Sequence, residues 1–192
     1  MSTELTPYDQ ILSLAEILEK SSILPTHSRG AKYSKHDIFA LALIGQRLGI
    51  DVLGSVMGIY IVEGRPFIGS RLVRALILKN GHKFEIKEWT ATGIKVNAAR
   101  AGGPDQEFTY TLAEATHAGL TGKSSWKQHP RRMLLAAVTR NVADAIFADI
   151  FLGIVGDDDS GDSEAGEEPA ARFAQTSKAI TLESLTVDAE QA

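Results

Sequence analysis

His82 to Thr111 reads HKFEIKEWTATGIKVNAARAGGPDQEFTYT. KFEIKEW alternates apolar and polar residues, Thr92 and Gly93 supply a turn, and IKVNAAR alternates again. AGGPDQ is dense in turn formers, and EFTYT is one more short run of strand formers. A period of two sends one side of each run toward a core and the other toward water. The stretch therefore predicts three consecutive strands in a small antiparallel meander.

Outward from the meander the apolar spacing becomes helical. Upstream, Thr6 and Pro7 open a capped helix over ILSLAEILEK, and SSILPTHSRGAKYS reads as a loop. A second helix follows Ser34, with Asp37 complementing its N-terminus. Ile38, Leu41, Ile44 and Leu48 form its apolar stripe, and Gly49 ends it. GIYIVEGRPFIG holds two short extended runs about Glu63 and Gly64, a β-hairpin. Pro66 cannot donate to a ladder, so its strand belongs at an edge. Ser70 is placed to cap RLVRALILKN, which Gly81 closes, with Arg71 and Arg74 one turn apart.

Downstream, Thr111 and Glu114 have the capping-box spacing for a short helix ending near Gly119. A long helix follows Pro130 and turns Leu134, Val138, Val142, Ile146 and Ile150 inward. The order helix, helix, hairpin, helix, meander, helix, helix argues for an α+β fold, with the meander and the hairpin flanked by helices, rather than a doubly wound sheet.

A chain of 192 residues with 44% hydrophobic and 23% charged residues has the composition of a soluble globular domain. It contains no cysteine, which removes disulfides, thiolate metal sites and cysteine nucleophiles, and fits a reducing compartment. No apolar run approaches the roughly 20 residues of a membrane span, and the N-terminus lacks a signal-peptide pattern. A cytoplasmic protein without membrane association is expected.

The net charge of -4 hides a division. Lys20 to Arg140 carries 18 basic against 8 acidic residues, a balance of +10, whereas Gly156 to Ala192 carries 2 against 10, a balance of -8. The chain thus divides into a basic core, residues 1–155, and a tail, residues 156–192, that opens with GDDDSGDSEAGEEPAA. So little hydrophobicity beside so much negative charge predicts disorder in the tail. KAITLESLTV near its end is either a short docking motif or part of a segment kept for solubility.

Several catalytic readings fail on spacing. THAGLTGKSS ends like a phosphate-binding loop, yet His117 occupies the position five residues before Gly122 where G-x-x-x-x-G-K-[ST] requires glycine. The carboxylates of the core are scattered rather than gathered for magnesium. His27, His36, His82, His117 and His129 show no zinc spacing, and no G-x-S-x-G elbow occurs. No catalytic residue, metal or cofactor is expected.

What survives is Ala115 to Ala143, which has 29 positions without a carboxylate while holding Lys123, Lys127, Arg131, Arg132 and Arg140. A surface that tracks a nucleic-acid backbone needs cations at intervals and no fixed anions among them. Eight residues apart on a helix, Arg132 and Arg140 can border one groove. Trp126 is either a flat face for base stacking or a core residue.

Taken in order, IYIVEGRPFIGS, a helix, NGHKFEIKEW, EFTYTLAEATHAGLTGKSSWKQHPRRML and FADIFLG resemble the RecT family of phage single-strand annealing proteins over roughly Ser34 to Gly153. The resemblance implies ATP-independent binding and annealing of single-stranded DNA in phage-type homologous recombination. It also implies a homo-oligomeric ring or helical filament, and a partner exonuclease and host single-strand-binding protein as collaborators. It places Lys123, Trp126, Lys127, Arg131, Arg132 and Arg140 in the DNA-binding groove, and extends the groove to Arg65, Arg71 and Arg74 on the hairpin side. The chain departs from many relatives in having LLAAV and NVADA where they carry further arginines, and in its short acidic C-terminal part. The competing readings are a passive single-strand-binding module, a nucleotide-hydrolysing enzyme built on GKSS, and a structural phage protein with a basic surface. The acidic tail is expected to compete with DNA for the groove.

Overall fold

The computed structural model describes residues 6–24, 32–62, 64–151 and 154. The helices are α1 (Pro7–Glu19), α2 (Lys35–Arg47), α3 (Val52–Gly58), α4 (Ser70–Lys79), α5 (Leu112–His117), α6 (Ser124–Gln128), α7 (Pro130–Ile146) and α8 (Ala148–Phe151). The strands are β1 (Ile59–Val62), β2 (Arg65–Ile68), β3 (Lys83–Trp89), β4 (Gly93–Ala99) and β5 (Gln106–Thr111). β1 and β2 form a hairpin, and β3, β4 and β5 an antiparallel meander in sequential order. The architecture is α+β. The tail, residues 156–192, and part of the loop before α2 lie outside the described residues.

Three helix starts follow directly from local chemistry. In α1, α2 and α5 the hydroxyl of Thr6, Ser34 or Thr111 accepts from the backbone N–H three residues on. The carboxylate of Asp9, Asp37 or Glu114 accepts in return from the cap residue's N–H. α4 differs from expectation. Gly69 is its N-cap and Ser70 its first helical residue, with no side-chain cap hydrogen bond.

The hairpin turns at Gly64, whose φ of 78° suits a residue without Cβ. Pro66 lies opposite Ile61 in a sheet of two strands, both of them edges. The buried Tyr33 anchors β1, its hydroxyl accepting from the Ile61 N–H at 3.4 Å.

α3 has no counterpart in the sequence reading. Asp51 caps it by accepting from the Gly54 N–H at 2.7 Å, and it packs on α2 where Gly45 has no side chain. A Cβ at Gly45 would stand 1.7 Å from Ser55 Oγ, so the two helices approach closely only because that atom is missing.

α7 is the central support. Leu134, Val138 and Val142 are fully buried against a layer that includes Ile94, Val96 and Ala98 of β4, and Val73, Leu76 and Ile77 of α4 pack into the same core. Fully burying an aliphatic side chain of this kind contributes about 1.5–3 kcal/mol. α7 ends sooner than its apolar spacing suggests, and Ile150 belongs to α8. Arg100, at the end of β4, donates to the Ile146 carbonyl at 3.0 and 2.7 Å, pairs with Asp149 and lies over the Phe147 ring. These bonds satisfy a C-terminal carbonyl and turn the chain. No single described helix is long and apolar enough to cross a membrane.

Candidate nucleic-acid interface

Two groups of basic residues stand in different surroundings. Those of the meander are neutralised where they stand. Lys83 pairs with Asp105 at 2.6 Å and Glu85 at 3.3 Å, Lys87 with Glu85 at 2.6 Å, and Lys95 with Glu107 at 3.3 Å. Hydrogen bonds from Lys87 and Lys83 hold the Glu85 carboxyl below its ordinary value, and the Asp105 hydrogen bond raises that of Lys83. Charges spent in this way attract a polyanion weakly.

Another group lies where α6 meets α7, though Arg47 and Lys79, in the last turns of α2 and α4, also make no ion pair among the described residues. Lys123 is the N-cap of α6, Lys127 lies in its last turn, and Arg131 and Arg132 fall in the first turn of α7. Neither first turn contains an acidic residue. Lys123, Lys127 and Arg132 make no ion pair among the described residues. His129, the N-cap of α7, makes no side-chain cap hydrogen bond, so cations and helix N–H groups present like sign in one place.

Trp126 is not part of that surface. It is 3% exposed and packs in the core cluster with Leu120 and Leu134. The five-residue α6 buries one side against the body, and Trp126 lies on that side while its neighbour Lys127 is exposed. A ring so enclosed offers no face to a base.

Trp89, which sequence reasoning passed over, does reach the surface. It is 38% exposed at the end of β3, beside the first turn of α7. Its Nε1 donates to the Arg131 carbonyl at 2.9 Å, and Arg131 Nη2 donates to the Trp89 carbonyl at 2.9 Å. The Arg131 guanidinium lies over the indole, 4.8 Å from its centroid. Arg131 is thus turned toward the sheet rather than standing free with Arg132. The signal was present in the spacing of Phe84, Ile86 and Trp89, which breaks strict alternation and marks a bulge.

A second group lies where the hairpin, α4 and α7 meet. The Arg140 guanidinium is 5.8 Å from the centroid of Phe67 on β2, and Arg74 Nη1 donates to Thr139 Oγ1 at 3.2 Å. Arg65 shares the strand face of Phe67 and is exposed, making no ion pair among the described residues. Arg71 is exposed one turn before Arg74. On α7, Arg132 and Arg140 stand about 12 Å apart along the axis and about 80° apart around it. One helix therefore connects both groups.

GKSS begins at the last residue of a 3₁₀ turn, Leu120–Gly122, that comes after helix α5 rather than after a strand, so it lacks the strand-to-helix setting of a phosphate-binding loop. Among the described residues no group of His, Asp or Glu is placed to hold a metal ion. No family model, curated protein or solved structure matches the chain.

Proposed function

We propose that the chain binds single-stranded DNA along α7, through the α6–α7 corner and the corner formed by the hairpin, α4 and α7, and that it anneals complementary strands without nucleotide hydrolysis. One observation carries this reading: meander lysines are cancelled by adjacent carboxylates, whereas Lys123, Lys127, Arg132 and Arg65 remain uncancelled among the described residues. Charge so segregated attracts phosphates. The resemblance to single-strand annealing proteins points the same way.

Cations hold the first strand by its phosphates and leave base edges open to a second strand, which is tested for pairing before both are retained. Each test is weak, so many sites on one scaffold are needed. The proposed scaffold is an assembly of copies of this chain. α1 supports it: Ala15 is the helix's one buried residue, while Leu14 and Ile17, one turn apart on another side, are 46% and 65% exposed. Such a face suits contact with a neighbouring subunit.

The test is a strand-annealing assay with two complementary oligonucleotides and no ATP. The intact chain should accelerate pairing, and folded Arg132→Ala should do so less. Binding without acceleration would leave a passive single-strand-binding module. ATP hydrolysis that annealing depended on would favour the enzyme reading.

A further inference from the structure

We infer that Trp89, stacked on Arg131, is a seat for an unpaired nucleobase at the α6–α7 end of the groove. The inference rests on the reading that the chain binds single-stranded DNA, and adds how it would tell a strand with bases from a bare phosphate chain. Stacking needs a flat aromatic face that is accessible, fixed in place and close to cations that hold the backbone. Trp89 is 38% exposed, is hydrogen-bonded in place, and lies against the first turn of α7, which carries Arg131 and Arg132.

Its position depends on an irregularity in the meander. Phe84 and Ile86 lie opposite Ala98 and Val96, on the side of the sheet that faces α7. Strict alternation would continue with Glu88 on that side and send Trp89 to the other. Instead the register shifts between Ile86 and Glu88, so that Glu88 lies opposite Lys95 and Trp89 opposite Ile94. A bulge of this kind re-aims a side chain at the cost of ladder bonds. Here it brings the indole to the first turn of α7 and keeps the Glu88 carboxylate on the other face of the strand. Core filling does not account for the arrangement, because 38% of Trp89 remains exposed.

The ring is also held before any ligand arrives. The reciprocal hydrogen bonds with Arg131, both at 2.9 Å, limit rotation of the indole and fix the guanidinium over it. Little side-chain freedom is then left to lose on binding. A planar guanidinium on an indole is a stack that a base can extend, and Arg132, in the same first turn of α7 but about 100° around the helix, is a cation for a phosphate further along the strand.

The test uses the full chain with oligodeoxythymidylate and an abasic strand of equal length. Tryptophan emission should fall on binding oligodeoxythymidylate but not the abasic strand, since Trp126 is enclosed. Trp89→Leu should bind oligodeoxythymidylate about 5- to 100-fold more weakly and the abasic strand unchanged, while Trp89→Phe should retain most of the affinity. If the two strands bind the intact chain equally and neither alters emission, the base seat is overturned and phosphate binding stands. If neither strand binds, the broader reading falls and takes the seat with it. The comparison of strands on the unaltered chain decides the matter even if Trp89→Leu does not fold.

Discussion

Arg74 on α4 donates a hydrogen bond to Thr139 on α7, Nη1 to Oγ1 at 3.2 Å, across 65 positions of chain. Thr139 is completely buried, and its hydroxyl donates in turn to the Leu135 carbonyl at 2.6 Å. A guanidinium is thereby fixed beside the candidate groove by a core residue that no solvent reaches.

Thr139→Val keeps the shape and removes the hydroxyl. It should cost about 1 kcal/mol and lower Tm by about 2–4 °C. Thermal melting checks the stability, and a binding titration should show a small loss of DNA affinity as Arg74 loses this anchor.

Trp126 should behave as a core residue. Trp126→Ala should lose about 3–5 kcal/mol and unfold in mild denaturant. Trp126→Phe, if folded, should bind oligonucleotides with unchanged affinity per folded molecule, which denaturation and titration together would establish.

Charge neutralisation makes a paired prediction. Arg132→Ala should weaken binding and reduce the salt slope by about 0.7 for each lost single-strand phosphate contact. Lys87→Ala, which removes a lysine already paired with Glu85, should leave both nearly unchanged. Titrations at several salt concentrations distinguish the two.

Asp149 provides a pH test. Its carboxyl is held below the usual 3.8 by the hydrogen bonds and charge of Arg100. A depressed folded value means that the stabilisation is present above the unfolded value and is lost as pH falls through the folded one. Asp149→Asn should therefore melt lower than the intact chain at about pH 6, and the two melting curves should converge toward about pH 3.

Truncation after Val155 removes ten carboxylates and two basic residues. If the tail competes for the groove, the truncated chain should bind oligonucleotides more tightly at low salt, and the difference should shrink as salt screens it. A titration at two salt concentrations decides it.

Much of the fold was legible because its signals are local. Thr6, Ser34 and Thr111 with their partners three residues on marked helix starts, and alternation marked the strands. α3 was missed because its seven residues include Gly54 and Gly58 and show no stripe; its place is set by Asp51 and by the gap at Gly45. The early end of α7 was equally hidden, since it depends on Arg100 reaching Ile146 from the meander. The candidate site was half legible. The run without carboxylates gave Lys123, Lys127 and Arg132 as a group, but it left Trp126 open between a stacking face and the core, and only its burial decides for the core.

The sequence by itself determined the meander, the hairpin and five of the helices, the α+β class and the division of charge between core and tail, because caps, turns and periodicity act between residues a few positions apart. Only the tertiary structure decided that Trp126 turns inward, that Trp89 turns outward onto Arg131, and that Arg74 meets Thr139. Those outcomes depend on a strand bulge and on contacts across 42 and 65 positions, where packing rather than neighbouring sequence selects the partner.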